Sequence, residues 1–329
     1  MANAVFSPKD FKAWVIEEAQ CGTAPTFTSA CYQLDVDSVA FPSLNPNQVT
    51  GIRSRAGRVL HQDDFFQDNE MRVVEVSLSG TFHIDGGHVM LMQSVAGNDL
   101  TPASIADVTV GTTATGVTGK YGETAGNKTF TLILAPPDTT DGFNTVLTGC
   151  LCTSFTVSAD SGTDGGVYKF EATISTGFNP TTNDETAEGG SVYGNDLIGI
   201  STLSAKKVYG LDVVMTSFGV TIESPAVYTG FNANGYEAFG RGEEISITAN
   251  ASVKYDLSTR PLYHSFNTQV NHKEEDFFTM TQTTAGNCSV AIPDGILTDV
   301  TFNEGDIMML DVAMKAVTGD HAPITIDLT

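Results

Sequence analysis

The stretch from Val74 to Asp85 alternates apolar and polar side chains, and the same alternation returns from Ile245 to Asp256. Successive side chains of a strand point to opposite faces, so this period of two specifies a strand with one face buried. Gly57-Arg58 and a short acidic interval precede the first stretch; Gly240-Arg241 and Glu243-Glu244 precede the second. A second matched pair follows. Thr153–Val157, a Gly/Asp turn and Val167–Ile174 correspond to Thr298–Phe302, Glu304–Asp306 and Ile307–Met314. Elements that recur in one order imply two tandem copies of a single β-rich domain, at a spacing too long for a solenoid repeat or a propeller blade.

The length of 329 residues suits two domains, and 41% hydrophobic residues are enough to give each a core. Thr, Ser, Val, Gly and Asn fill the strand and turn segments, while runs of strong helix formers are scarce, so a mainly β fold is expected. We place the copies at residues 1–207, with an N-terminal helix and inserted loops, and 208–329, with the boundary near Ser204 to Gly210.

Sixteen basic against 39 acidic residues give a formal charge of −23, which opposes binding to a phosphate backbone and argues against a sequence-specific nucleic-acid reader. A plain solubility device accounts for the same charge equally well. Met1–Phe6 has neither a basic start nor a long apolar run, so no secretory signal is expected. No segment reaches the roughly 18 apolar residues of a spanning helix, so no membrane partner is expected. Synthesis in a cytoplasm follows, with Cys21, Cys31, Cys150, Cys152 and Cys288 reduced; their odd number and irregular spacing fit buried thiols.

Along the chain, Ser7-Pro8-Lys9-Asp10 predicts the start of a helix running to about Ala19, with Phe11, Trp14, Val15 and Ile16 as its apolar stripe. Cys31 to Val39 reads as a strand. The interval from Pro42 to Asn69 shows no sustained period. It holds Arg53, Arg55 and Arg58 beside Asp63, Asp64, Asp68 and Glu70, which reads either as a charge-complementary contact between subunits or as a solvated loop. Gly86-Gly87 is expected to end the first long strand and Val89–Ala96 to form a short helix, matched in the second copy by Leu262–Asn267. Gly97 to Asn127 is expected as an inserted loop or hairpin, Thr129–Leu134 as a strand, Asn179 to Asn195 as a polar, acidic linker or arm, and Leu211 to Glu223 as the strand that opens the second copy.

Few residues suggest chemistry. His83, Asp85 and His88 could hold a metal, but His83 is expected on the polar face of its strand and Asp85-Gly86-Gly87 suits a turn. Asp160, Asp164, Gly165 and Glu171 partly match a calcium loop, yet Gly162 breaks the pattern and the flanks are strands, so a hairpin turn is the better reading. No nucleophile elbow, phosphate-cradling loop or paired catalytic carboxylates stand out. No enzyme activity and no cofactor are expected.

The strand pair Leu151–Asp160 and Tyr168–Gly177, preceded by Thr148-Gly149, resembles the closing strands of tail tube proteins of long-tailed bacteriophages. The Gly-Arg element, long alternating strand and short helix, present twice, look like the middle of that fold. The resemblance covers most of the chain in two passes, departing at the Gly97 to Asn127 insertion and the shorter second copy. It implies two tail-tube-like domains, each a β-sandwich or barrel with a short helix, six of which form a ring whose inner strands join into one barrel. Two copies per chain then give a trimeric, pseudo-hexameric ring that stacks into a tube of the virion. The implied partners are further copies of the chain, the tape measure protein, and the terminator and tip proteins of the tail, with DNA passing through unbound. An acidic lumen would repel a passing duplex within the roughly 8 Å reach of screened charge. Glu75, Glu171, Asp256 and Asp311 are the candidates to line it, and Arg53, Arg55, Arg58, Asp63 and Asp64 the candidates for subunit contact. Another virion or surface component with duplicated β domains, a head decoration protein or an adhesin, is the alternative.

Overall fold

The computed structural model describes residues 7–27, 31–42, 47–50, 65–68, 73–84, 86–97, 100, 108–110, 129–137, 144–183, 192–193, 197–229, 238–241, 245–267, 272–273, 276–282, 288–305, 307–317 and 322–328. The fold is mainly β. After one 3-10 turn at Pro8–Asp10 come β1 (Lys12–Glu17), β2 (Tyr32–Leu34), β3 (Val36–Val39), β4 (Asn47–Thr50), β5 (Phe65–Asp68), β6 (Val74–Thr81) and helix α1 (Gly86–Ala96). β7 (Val108–Val110), β8 (Phe130–Ala135), β9 (Asn144–Asp160), β10 (Lys169–Thr176) and β11 (Thr181–Asn183) follow. Then come β12 (Leu203–Val208), β13 (Leu211–Asp212), β14 (Met215–Glu223), β15 (Ala226–Thr229), β16 (Ala238–Arg241), β17 (Ser246–Lys254) and helix α2 (Arg260–Asn267). β18 (His272–Lys273), β19 (Phe278–Gln282), β20 (Ser289–Ile292), β21 (Gly295–Glu304), β22 (Met308–Ala316) and β23 (Ile324–Asp327) complete the described strands, and two further 3-10 turns lie at Asp164–Gly166 and Ile200–Thr202.

One sheet carries the architecture. Its main path is the antiparallel series β3-β6-β10-β9-β14-β17-β22-β21, in which the order β3-β6-β10-β9 is repeated as β14-β17-β22-β21 and the two runs are joined by β9 and β14. The irregularities repeat as well. Asp37 is the extra residue between Val36, opposite Gly80, and Ser38, opposite Ser79; Thr216 is the extra residue between Met215, opposite Val253, and Ser217, opposite Ser252. Thr153 is extra between Cys152 and Ser154, and Thr298 between Leu297 and Asp299. Since a bulge fixes register, these coincidences make Asp37 and Thr216, Leu78 and Ala251, and Thr153 and Thr298 equivalent residues. The pairs β4–β5 and β15–β16 occupy matching places in the chain, and α1 follows β6 as α2 follows β17.

A second sheet, β13-β12-β19-β20-β23-β7, takes β7 from the first half and its other strands from residue 203 onward. The boundary expected after residue 207 therefore falls within β12. Between the sheets Phe155 and Val157 of β9 and Val220 and Ile222 of β14 meet Val290, Ile326, Cys288 and Met92 of α1. All eleven residues of α1 are buried.

Several expectations are corrected. Ser7 does cap, accepting from the Lys9 N–H while Asp10 caps in return, but the turn lasts only to Asp10 and the expected helix to Ala19 is strand β1. The reason is burial on both sides. Trp14 and Ile16 pack with Phe27, Cys31, Ile133 and Val146, whereas Ala13 and Val15 join the main core, and only a period of two serves two opposed cores. Gly86-Gly87 starts α1 rather than ending a strand, because a Cβ at either position would meet Tyr32 or Leu34 of β2. The strand expected from Cys31 to Val39 is broken at Asp35, and the long strands stop at Thr81 and Lys254, short of Asp85 and Asp256. Of the expected linker from Asn179 to Asn195, Thr181–Asn183 is strand β11, paired with β9. Of the insertion from Gly97 to Asn127, the three residues of β7 pair with β23, and most of the rest lies outside the described residues.

Buried Glu18, next after β1, ties the strand in place. Its carboxylate accepts from the hydroxyls of Thr129 (2.6 Å) and Thr131 (2.7 Å) and the amides of Gly149 (2.8 Å) and Gly22 (3.0 Å). Four donors satisfy a charge that would otherwise be costly to bury.

Candidate functional site

The face of the long sheet turned away from the core is polar across the seven strands from β6 to β21. Pairing register, not proximity in sequence, sets its rows. One runs Ser79, Glu171, Thr156, Thr221, Thr248, Lys315; another runs Ser77, Thr173, Ser154, Glu223, Ser246. The row Asp160, Ser217, Ser252, Asp311, Thr301 continues the pattern onto β21. Hydroxyls dominate, and across the joint of the two runs the Thr156 and Thr221 hydroxyls are 2.8 Å apart. Carboxylates outnumber ammonium groups: Glu75, Glu171, Asp160, Glu223, Asp299 and Asp311 stand against Lys169, Lys254 and Lys315.

Glu75, Glu171 and Asp311 thus share one face, the first two exposed and Asp311 half-buried, its Oδ2 accepting from the Asn303 amide at 3.1 Å. Lys169 is partly neutralised by Asp37 (3.6 Å) and donates to the Thr81 hydroxyl. Asp256 does not join them. It lies past the end of β17 in the turn into α2, where its carboxylate accepts from the Ser258 hydroxyl and from the Ser258 and Thr259 amides, bonds that hold its pKa below the ordinary value. Arg53, Arg55, Arg58, Asp63 and Asp64, with Gly57, lie outside the described residues.

The other candidates resolve differently. His83, expected on the polar face, is 3% exposed because the chain has left β6 by that point and turns inward toward α1. Its Nε2 is 2.9 Å from the Asp35 carboxylate, and its ring stacks on Tyr193 (4.9 Å). Among the described residues no three of His, Cys, Asp and Glu gather as metal ligands, and Asp85 lies outside them. Asp160 accepts the Gly162 amide at 2.7 Å in the turn after β9, and Glu171 lies opposite Thr156, four residues back along that strand, so the two do not converge.

Two features carry little sequence signal. The series ends in open edges: among the described residues β3 pairs only with β6, and β21 beyond Ile296 pairs only with β22. Arg241 is buried, its guanidinium donating to the carbonyls of Cys152 (2.6 Å), Ser224 (2.8 Å) and Ser94 (2.6 Å). The clue to the first was the alternation continuing to the last strand of each run; a lone Gly-Arg gave none for the second.

No helix among the described residues is long and apolar enough to cross a membrane. No protein-family model matches the chain, and a search of curated proteins finds no match.

Proposed function

We propose that the chain is a structural, non-enzymatic subunit of a hollow tube, of the kind that forms the tails of long-tailed bacteriophages. Three chains, each holding two copies of one module, make a pseudo-hexameric ring, and the rings stack. The polar face lines the bore, through which DNA passes without specific binding and which sheathes the tape measure during assembly; terminator and tip proteins close the ends.

The observation that carries this reading is a twice-written antiparallel series, apolar on one face, polar on the other and, among the described residues, open along β3 and along β21 beyond Ile296. Open edges are liabilities for a free monomer, and closing the sheet through sister chains removes them. The register favours closure. A row leaving Leu78 passes through Ala172, Phe155 and Ile222 to Ile247, four residues short of Ala251, the equivalent of Leu78. Four residues of slip over four strands tilt the strands by about 35°, within the range of closed barrels. Three chains supply about 24 strands, more than the 16–18 that already leave an aqueous channel, and a bore about 45 Å across between opposite backbone walls.

The excess carboxylates then act on the cargo. DNA carries about one charge per 1.7 Å of axis, and carboxylates on the wall oppose adsorption of a passing duplex. Replacing Glu75, Glu171 and Asp311 together by lysine is expected to leave tube assembly intact and to slow DNA ejection several-fold, more so at low salt, in particles built from the variant. Ejection at the unchanged rate would contradict the electrostatic role of this face.

A further inference from the structure

We infer that β21 of one copy pairs antiparallel with β3 of the next, extended through Pro42, in the register that β9 and β14 hold within the chain. This rests on the tube reading for the presence of a neighbouring copy and adds which edges meet and residue by residue how. The joint between the two runs is a solved example of the contact: β9 closes the first run as β21 closes the second, and β14 opens the second as β3 opens the first. Because the series has an even number of antiparallel strands, β21 meets the next β3 in the same antiparallel sense.

The bulges transfer the register. Thr153 corresponds to Thr298 and Thr216 to Asp37, so Ser158 opposite Gly219 becomes Asn303 opposite Ala40, and Val157 opposite Val220 becomes Phe302 opposite Phe41. The polar face stays continuous across the joint, with Asn303 and Ala40 on the outer side and the two phenylalanines on the inner. Burial marks the same place. Val220 is 4% exposed at the internal joint, whereas Phe41 is 41% exposed, an apolar side chain on an open edge with the contact of its counterpart still unmade. Phe302 stands in a ready aromatic cluster, its ring 5.2 Å from Tyr255 and 4.9 Å from Tyr263. Two strands paired this way bring opposite Cα atoms to about 4.5–5.5 Å, the separation a disulfide spans.

The test is a cysteine pair, Ala40→Cys with Asn303→Cys, in the full chain under mild oxidation. Both positions are exposed. The native thiols do not compete: Cys31 is buried, and burial pushes Cys152 and Cys288 up to about 12, Cys21 up to about 11 and Cys150 well above the ordinary value, so these four stay protonated. Most of the chain is expected to become covalently linked between copies, while each single variant stays unlinked and a displaced pair, Ala40→Cys with Thr301→Cys, loses the product. Tubes visible by electron microscopy, with linking only in the displaced pair or in neither pair, would overturn this joint and leave the tube reading standing. Monomers without tubes or links would overturn both.

Discussion

Replacing Arg241 by alanine is expected to lower the free energy of unfolding by about 3–5 kcal/mol. The guanidinium holds three parts of the chain at once: the Cys152 carbonyl of β9, the Ser224 carbonyl just after β14, and the Ser94 carbonyl in the last turn of α1. The C-terminal carbonyls of a helix carry partial negative charge and lack intrahelical partners, so a cation there is doubly favoured. Alanine leaves these acceptors buried with their strongest donor gone and opens a cavity between the β15–β16 hairpin and α1. Lysine should recover part of the loss, since a single ammonium keeps the charge but cannot reproduce the fork. Urea unfolding with an unchanged m-value measures it; a loss under about 1 kcal/mol would mean that the hairpin is held by something else.

Phe41→Lys is expected to abolish assembly while leaving the monomer folded. The side chain sits at the open edge, in edge-on contact with Phe11 (4.7 Å), so the free chain keeps an exposed lysine there at modest cost. Pairing with a second copy would press that charge between Phe302 and the aromatic side chains beneath it, an unpaired ammonium in an apolar joint, and inward-pointing edge charges block strand addition in this way. Phe41→Leu serves as the control and should still assemble. Sedimentation velocity reads the outcome: the lysine variant at monomer size with native circular dichroism, the leucine variant at polymer size. Tubes formed by the lysine variant at the ordinary yield would place the contact elsewhere.

How much of this was legible in sequence depended on the range of the interaction that fixed each element. The alternation in β6 and β17 was readable because one face is buried along the whole strand, and the matches of Thr153 with Thr298 and of Val167 with Ile307 agree with the equivalence set by the bulges. Val74 was matched with Ile245 two residues out of step, because a shift by two keeps every side chain on its face and only the bulges at Asp37 and Thr216 distinguish the registers. The first strand was read as a helix because local capping signals at Ser7 and Pro8 are real, while the two opposed cores that make β1 a strand draw on β8 and β9, more than 100 positions away. The polar face was legible strand by strand but not as a surface. Glu75, Glu171 and Asp311 come together only through register, and Asp256 leaves them because the chain turns for α2. Buried Arg241 is a property of topology, which no local pattern encodes, and the open edges seen among the described residues had only the alternation in the last strand of each run as a clue.

The most direct measurement is electron cryomicroscopy of the purified protein, read in cross-section. A hollow ring of three chains is expected, its wall one uninterrupted antiparallel sheet with β21 against β3 of the neighbour and Glu75, Glu171 and Asp311 facing the bore. A monomer at high concentration, or an assembly in which those edges stay unpaired or that face points outward, would contradict it.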